Sequence, residues 1–422
     1  MNIQEALDFI HGINWQSMEP GLKREEELLG YMGHPEADLK YIHIAGTNGK
    51  GSTAAMLAAV LMKAGYKTGL HTSPHIYRFN ERMQINGEMI SDDDICSLVE
   101  YIRPFTEKMS EPPTEFELIS AMAFEYFRRN KCDIVVLEVG LGGRMDSTNV
   151  IPSPEVAVLA AIGLDHTGVL GNTLGEIAAE KAGIIKTGTD AVIYRQDPEV
   201  EQVFIDKCKE VGAGAHLCEP ELVVGTGIDW DSQTVDYKDC KNITIPLTGT
   251  YQLKNLSMVF KTVEILNEKG YNIQNEAVRD GLAEVKWPCR FEVLRKDPVF
   301  IIDGAHNPQG IAATADSLRA HSRGKKIIFI MGVMADKDLD TMVPYIADLA
   351  GEFITVTPDY PGRAMDAGIL KKHLDRYGLP VTAAPSVGEG VRLALDHAGK
   401  DGIICALGSL YMPADVKPLF SD

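Results

Sequence analysis

The feature that most constrains this chain is a short apolar run, Tyr41 to Ala45, that ends in Gly46-Thr47-Asn48-Gly49-Lys50-Gly51-Ser52-Thr53 and passes into an alanine-rich stretch. A strand, a glycine-rich turn and a helix in that order gather backbone N–H groups and a helix N-terminus around an anion, as a phosphate-binding loop does. Asn48, Gly49 and Gly51 would line the turn, Lys50 would reach the outer phosphates, and Ser52 or Thr53 would meet a magnesium ion. The spacing departs from the commonest form, because two residues separate Gly46 from Gly49 and Gly51 stands between the lysine and the hydroxyl. A glycine-rich turn with a surface lysine is the plainer alternative. Three glycines, a lysine and two hydroxyls in order argue against it.

The same strand-then-helix alternation continues beyond the loop and implies an α/β fold built on a parallel sheet. Further strands are predicted at Lys67 to Leu70, Ile134 to Val139, Val156 to Ile162 and Ala191 to Tyr194. Between about residues 218 and 248 the pattern turns polar and alternating, which suits a small antiparallel section, and a helix follows over Tyr251 to Lys269. A second alternation, at Val299 to Ile302, Lys326 to Met331, Glu352 to Thr357, Val381 to Ala384 and Ile403 to Leu407, reads as a smaller doubly wound domain. A chain of 422 residues exceeds one ordinary core. Pro288 and a charge cluster near Lys286 to Lys296 set the expected boundary, giving domains 1–290 and 291–422.

Composition narrows the partners. The formal charge of −19, from 60 acidic and 41 basic residues, disfavours nucleic acid and anionic membranes, and no basic stripe offsets it. Seven scattered cysteines without a close CxxC pair spell neither a zinc ribbon nor a disulfide framework. No run approaches membrane-spanning length and the first residues lack a signal-peptide layout, so a cytoplasmic location is expected.

Three more polar clusters fall at the carboxyl ends of predicted strands, where open α/β sheets bind their ligands. Thr72-Ser73-Pro74-His75 follows one strand, Glu138 ends another ahead of Gly140-Leu141-Gly142-Gly143-Arg144, and Asp165-His166 follows a third. Hydroxyl, carboxylate and imidazole are plausible magnesium ligands beside phosphates, although imidazole is the less usual partner for so hard a cation. Alone, Glu138 reads as a salt-bridge partner and His166 as a loop residue; together with Lys50 they read as a site. Lys181, by helical spacing, reads as a solvated lysine paired with a glutamate one turn away. In the second domain Asp303-Gly304-Ala305-His306-Asn307-Pro308 also follows a strand. Asp303, His306 and Asn307 would serve catalysis or nucleotide binding, or cap the next helix.

In their order, Gly46 to Ser52, Thr72 to His75, Glu138 to Asn149, Gly163 to His166, Glu180 to Lys186, Trp287 to Glu292 and Asp303 to Pro308 resemble the successive motifs of the Mur ligase superfamily. Within it the chain is most similar to the folylpolyglutamate synthase and dihydrofolate synthase branch, nearly end to end. The resemblance implies a P-loop ATP-binding domain and a smaller Rossmann-like domain with substrates in the cleft between them, two Mg²⁺ ions, and action as a monomer. It implies that Ser73, Glu138 and His166 are metal ligands, that Gly49 to Ser52 hold phosphate, and that Lys181 is carbamylated. Asn255, Arg290 and Asp303 match positions that contact ATP. Gly21 to Lys23, Thr114-Glu115-Phe116-Glu117 and Met145-Asp146-Ser147 match the pterin pocket, and Ser409 with His306 matches groups that place glutamate. Cys289 stands where the branch usually has glycine, and Lys23 departs from its segment's common ending.

The activity so implied is ATP-dependent addition of L-glutamate to dihydropteroate or a reduced folate through an acyl phosphate. A ligase acting on a cell-wall nucleotide precursor is the alternative within the superfamily, and Thr114 to Glu117 with Asp303 to Pro308 fit the folate branch better. A P-loop kinase would explain Gly46 to Ser52 but leave the second domain without a role.

Overall fold

The computed structural model describes residues 1–12 and 21–420. The chain forms two compact units, Met1–Val223 with Lys254–Glu284, and Val224–Leu253 with Val285–Asp422.

The first unit is built on an eight-stranded sheet: β1 (Tyr41–Ala45), β2 (Thr68–His71), β3 (Met83–Ile85), β4 (Glu88–Met89), β5 (Ile134–Glu138), β6 (Val156–Leu159), β7 (Asp190–Ile193) and β8 (Gly214–Leu217), in the order β4-β3-β2-β5-β1-β6-β7-β8. The six strands from β2 to β8 in that order run parallel, while β3 and β4 add an antiparallel edge. Every residue of β1, β5 and β6 is buried, which explains their unbroken apolar runs: helices cover both faces of the sheet. Two cores lie side by side on one face, one that includes Ile10, Leu28, Val99, Phe124 and Phe127 against Tyr41, Val135 and Leu137, the other with Ile177, Ile184 and Phe204 against Ala157, Leu159 and Ala191, strand residues that the pairing register puts on the same side. Helix Lys50–Lys63 is buried on nearly all sides, and Gly281 of helix Asn275–Glu284 lies so close to it that a Cβ would meet the Val60 backbone at 2.7 Å.

The second unit holds an antiparallel sheet, β9 (Val223–Ile228), β10 (Gln233–Tyr237) and β11 (Cys240–Ile245), in the order β11-β10-β9. Its larger sheet has β12 (Glu292–Lys296), β13 (Val299–Ile302), β14 (Ile327–Met331), β15 (Ala350–Thr355), β16 (Val381–Ala383) and β17 (Ile403–Leu407), in the order β12-β13-β17-β14-β15-β16. These pair in parallel except β12, which is antiparallel to β13.

Two features differ from the sequence-based expectation. The expected boundary at 286–296 contains β12, an edge strand whose charged sequence, Glu-Val-Leu-Arg-Lys, hides its pairing. Residues 224–253 belong to the second unit rather than extending the first to residue 290, because Trp230 and Tyr251 pack against the second core and Trp230 meets His321 in a tilted ring contact, centroids 4.8 Å apart. Among the described residues no helix is long and apolar enough to cross a membrane, and all seven cysteines are free thiols.

Candidate active site

Sheet order settles which polar groups share an edge. In β2-β5-β1-β6 the four parallel strands are neighbours, with His71 beside Leu137, Ile44 beside Glu138 and Ala45 beside Leu159. The segments that follow their carboxyl ends therefore emerge side by side: Thr72 to His75, Glu138 to Arg144, Gly46 to Lys50, and Gly163 to His166.

The glycine-rich turn is held by the segment that follows β6. Thr47 N and Asn48 N donate to Ala161 O at 2.8 and 3.2 Å, and Thr47 Oγ1 exchanges hydrogen bonds with Gly163 N and O, both 3.1 Å. Gly49 caps the helix with φ +87°, a left-handed conformation that favours glycine, and a Cβ there would stand 2.7 Å from Asn255 Oδ1. Asn255 thus lies against the turn, as the resemblance implies. Lys50 Nζ folds back on Gly46 O (3.0 Å) and Thr47 O (3.4 Å). Ser52 and Thr53 are buried in the first helical turn, and Thr53 Oγ1 has no hydrogen-bond partner.

Beside the turn, Glu138 is 4% exposed and its Oε2 accepts from Ser73 N at 3.2 Å. Arg82, which sequence reasoning passed over, donates to Ser73 Oγ and His75 Nδ1, each at 3.1 Å. His75 is held neutral, pushed down to about 4 by burial and then by the Arg82 charge. His166 sits on the exposed turn after β6 with φ +51°, its N–H on Asp165 Oδ1 at 3.0 Å.

Lys181 is not solvated. It is 4% exposed, because helix Leu174–Ala182 packs under the 140–144 loop; Gly143 lies so near that a Cβ would meet Lys181 Cα at 2.9 Å. The neighbouring Glu180 pairs with Arg144 instead, at 2.8 Å. Burial and then the Lys50 charge push the Lys181 amine down to about 7. Nothing in its local sequence signals this; the packing that causes it is tertiary.

The three segments matched to a pterin pocket also come together. A Cβ on Gly21 would lie 3.9 Å from Met145 Cε, and Ser147 Oγ is 2.7 Å from Ser120 Oγ on helix Glu115–Arg129. Thr114 and Glu117 form that helix's capping box, and Glu117 takes two hydrogen bonds from Arg24, at 2.9 and 3.1 Å. Glu115 pairs with His11 at 3.1 Å, and Phe116 fills the space that a Cβ on Gly140 would occupy. Lys23 opens helix Lys23–Met32. On the same helix Glu25 is wholly buried, both carboxyl oxygens unpartnered, and burial followed by Glu117, Glu36 and Asp146 raises its pKa well above the carboxylate range.

In the second unit Asp303 follows β13 and is 3% exposed. Its Oδ2 accepts from Tyr251 Oη (3.0 Å) and Phe291 N (2.8 Å), its Oδ1 from Ala305 N (2.8 Å). Burial raises its pKa, and the Arg290 guanidinium and these donors oppose the rise. Arg290 Nη1 donates to Cys289 O at 3.0 Å, and Cys289 itself has φ +57°, a conformation glycine adopts more readily. His306 Nδ1 donates to Gly304 O at 2.8 Å, which fixes the ring's orientation. Helix capping falls to Asn307, whose Oδ1 accepts from Gly310 N at 2.8 Å. Ser409 follows the adjacent β17, tied in through Gly408 N to Ala305 O at 2.9 Å.

The Mur ligase middle domain matches residues 44–263, and the Mur ligase glutamate ligase domain matches residues 289–410. Fold and site thus define an acid–amino-acid ligase of the Mur type. A Bacillus subtilis dihydrofolate synthase/folylpolyglutamate synthase is 35% identical over 432 residues, 98% of either chain. Mycobacterium tuberculosis folylpolyglutamate synthase complexed with ADP has a TM-score of 0.90 at 30% identity, covering 100% of this chain and 98% of that one. An Escherichia coli protein in complex with DHPP and ADP has a TM-score of 0.87 at 27% identity, covering 99% and 97%. The chain belongs to the folylpolyglutamate synthase and dihydrofolate synthase family.

Proposed function

We propose that the protein uses ATP to join L-glutamate to the free carboxylate of dihydropteroate and to extend reduced folates, as a cytoplasmic monomer. The observation that carries this reading is one sheet edge with a glycine-cradled turn, Lys50, a buried carboxylate and a buried amine, in a chain whose relatives bear both synthase names.

The residues fit the groups that such a reaction requires. Gly49, with no room for a Cβ, and the orphaned Thr53 hydroxyl suit a nucleotide phosphate. Ser52, Ser73 and Glu138 offer the oxygen donors that Mg²⁺ prefers, with His166 on the neighbouring loop. Mg²⁺ when bound neutralises phosphate charge and polarises the transferring group. Lys181, an amine near neutrality, can attack CO₂ to give a carbamate and a released proton, turning a buried cation into an oxygen anion.

Lys50 releases the loop carbonyls and pairs with the outer phosphates, so that the acceptor carboxylate can attack the γ-phosphorus and form an acyl phosphate with loss of ADP. The amine of glutamate then displaces phosphate through a tetrahedral intermediate. In the second unit His306 Nε2 takes the amine proton and Ser409 helps place the glutamate, while Asp303 fixes the strand-end turn and, with Arg290, offers nucleotide contacts. In the first unit Asn255 flanks the phosphates, and Thr114 to Glu117 with Met145 to Ser147 frame the acceptor.

The test is product mass. Purified protein with ATP, Mg²⁺, glutamate and either dihydropteroate or tetrahydrofolate should yield an acceptor heavier by one glutamyl unit. ATP consumption without that gain for either acceptor would overturn the reading in favour of a cell-wall ligase or a kinase.

A further inference from the structure

A buried hydrogen-bonded chain joins the strand behind the glycine-rich turn to the loop that frames the acceptor. Asp146 Oδ1 accepts from Thr148 N at 3.1 Å and from Thr148 Oγ1 at 2.5 Å, while Oδ2 accepts from Leu141 N at 2.8 Å. The carboxylate thereby folds residues 141–148 into one conformation. Thr148 has spent its only proton on Asp146, so its oxygen must accept from His43 Nε2, 2.9 Å away. That assigns the tautomer: Nε2 carries the hydrogen, and Nδ1 is left bare, buried and without a partner. A buried, unpaired ring nitrogen costs stability, and the chain bears that cost three residues before Gly46. From the other side Lys186 Nζ donates to Asn149 O at 2.7 Å, closing the turn.

Each element of this chain is fully or nearly fully buried: His43 and Thr148 are 0% exposed, Asp146 5%. None of the three needs to touch a reactant to matter. What they hold is the short segment between Glu138 at one end and Ser147 at the other, the stretch assigned above to metal and acceptor. The nucleotide turn, by contrast, is held by Ala161 and Gly163 of the β6 loop, so loosening the buried chain should leave it in place.

We infer that His43 and Thr148 are positioning residues for the acceptor: through Asp146 they lock the 141–148 loop in the shape that receives the bicyclic head, with no part in holding the nucleotide. The inference deepens the acceptor reading above and rests on it.

Steady-state kinetics on site variants read the split. Thr148→Val keeps the volume and deletes the hydroxyl; it should raise KM for dihydropteroate about tenfold or more and leave KM for ATP within about twofold. Thr148→Ser should restore the acceptor KM. His43→Gln, which offers an amide N–H near the place of Nε2, should resemble the unaltered protein, and His43→Leu should resemble Thr148→Val. An unchanged acceptor KM in Thr148→Val, or equal rises for acceptor and ATP, would overturn the inference. Should the variants fail to fold, ¹⁵N NMR of the unaltered protein decides: His43 protonated at Nε2 supports the chain, and protonation at Nδ1 overturns it. That measurement is independent of turnover, so a protein that forms no amide would sink the functional reading while the tautomer still judged the chain.

Discussion

The two units place polar groups at strand ends in opposite ways. In the first, the edge of β2-β5-β1-β6 gathers two amines: Lys50 is turned back onto backbone carbonyls, and Lys181 is buried with no ion pair among the described residues. In the second, Asp303 is surrounded by donors from Tyr251, Phe291 and Ala305 and faces Arg290. An edge whose lysine rests on backbone carbonyls is built for a polyanion that arrives later. An edge whose carboxylate is already satisfied is built to hold a turn in shape. The first edge should therefore lose chemistry when altered, the second stability.

The largest effect is expected at Lys50. Lys50→Ala removes the mobile charge meant for the transferring phosphoryl group and should lower kcat by about 10³-fold or more, with the unfolding midpoint little changed; full activity would break the comparison at its stronger end. Lys181→Ala should follow, at roughly 10²-fold, as expected for removal of one transition-state electrostatic group. Because the amine titrates near 7, its uncharged fraction falls tenfold per pH unit below that value, and so should a carbamate signal in ¹³C NMR with labelled bicarbonate. No signal at any pH would leave Lys181 a buried amine and remove carbamylation from the account.

At the second edge Asp303→Asn puts an N–H₂ group where backbone and tyrosine donors already point. It should cost about 1–3 kcal/mol in chemical denaturation, a loss that the Lys50 variant does not share. Equal stability would show that the second edge is not the preassembled one. The smallest effect is expected at Cys289→Gly. Relief of the positive φ, about 1 kcal/mol, is set against loss of a buried thiol, so stability should move by less than about 1 kcal/mol and activity within about twofold. A larger loss of activity would make the thiol a functional departure from the family pattern.

Much of the fold was legible because parallel strands buried on both faces are unbroken apolar runs. Tyr41–Ala45, Val299–Ile302 and Ile403–Leu407 have the bounds that the sequence implies. Glu292–Lys296 and Gly214–Leu217 escaped, being half-exposed edge strands without apolar periodicity, and Met83–Ile85 with Glu88–Met89 were too short to register. At the site, motif residues at strand ends could be read because glycines and the lysine recur in a fixed order. Lys181, Arg82, Glu25 and His43 could not. Their environment comes from pairing and packing that local sequence does not show: Arg82 meets Ser73 across a strand pair, and His43 meets Thr148 across 105 residues.

The most direct test of the whole account follows oxygen. Dihydropteroate labelled with ¹⁸O in its carboxylate, incubated with ATP, Mg²⁺ and glutamate, should transfer one labelled oxygen to inorganic phosphate for each amide formed, because the acyl phosphate keeps that oxygen when the amine displaces it. Amide formation with no label in phosphate would contradict the acyl phosphate, and with it the role given to Lys50 and the first unit's charged edge.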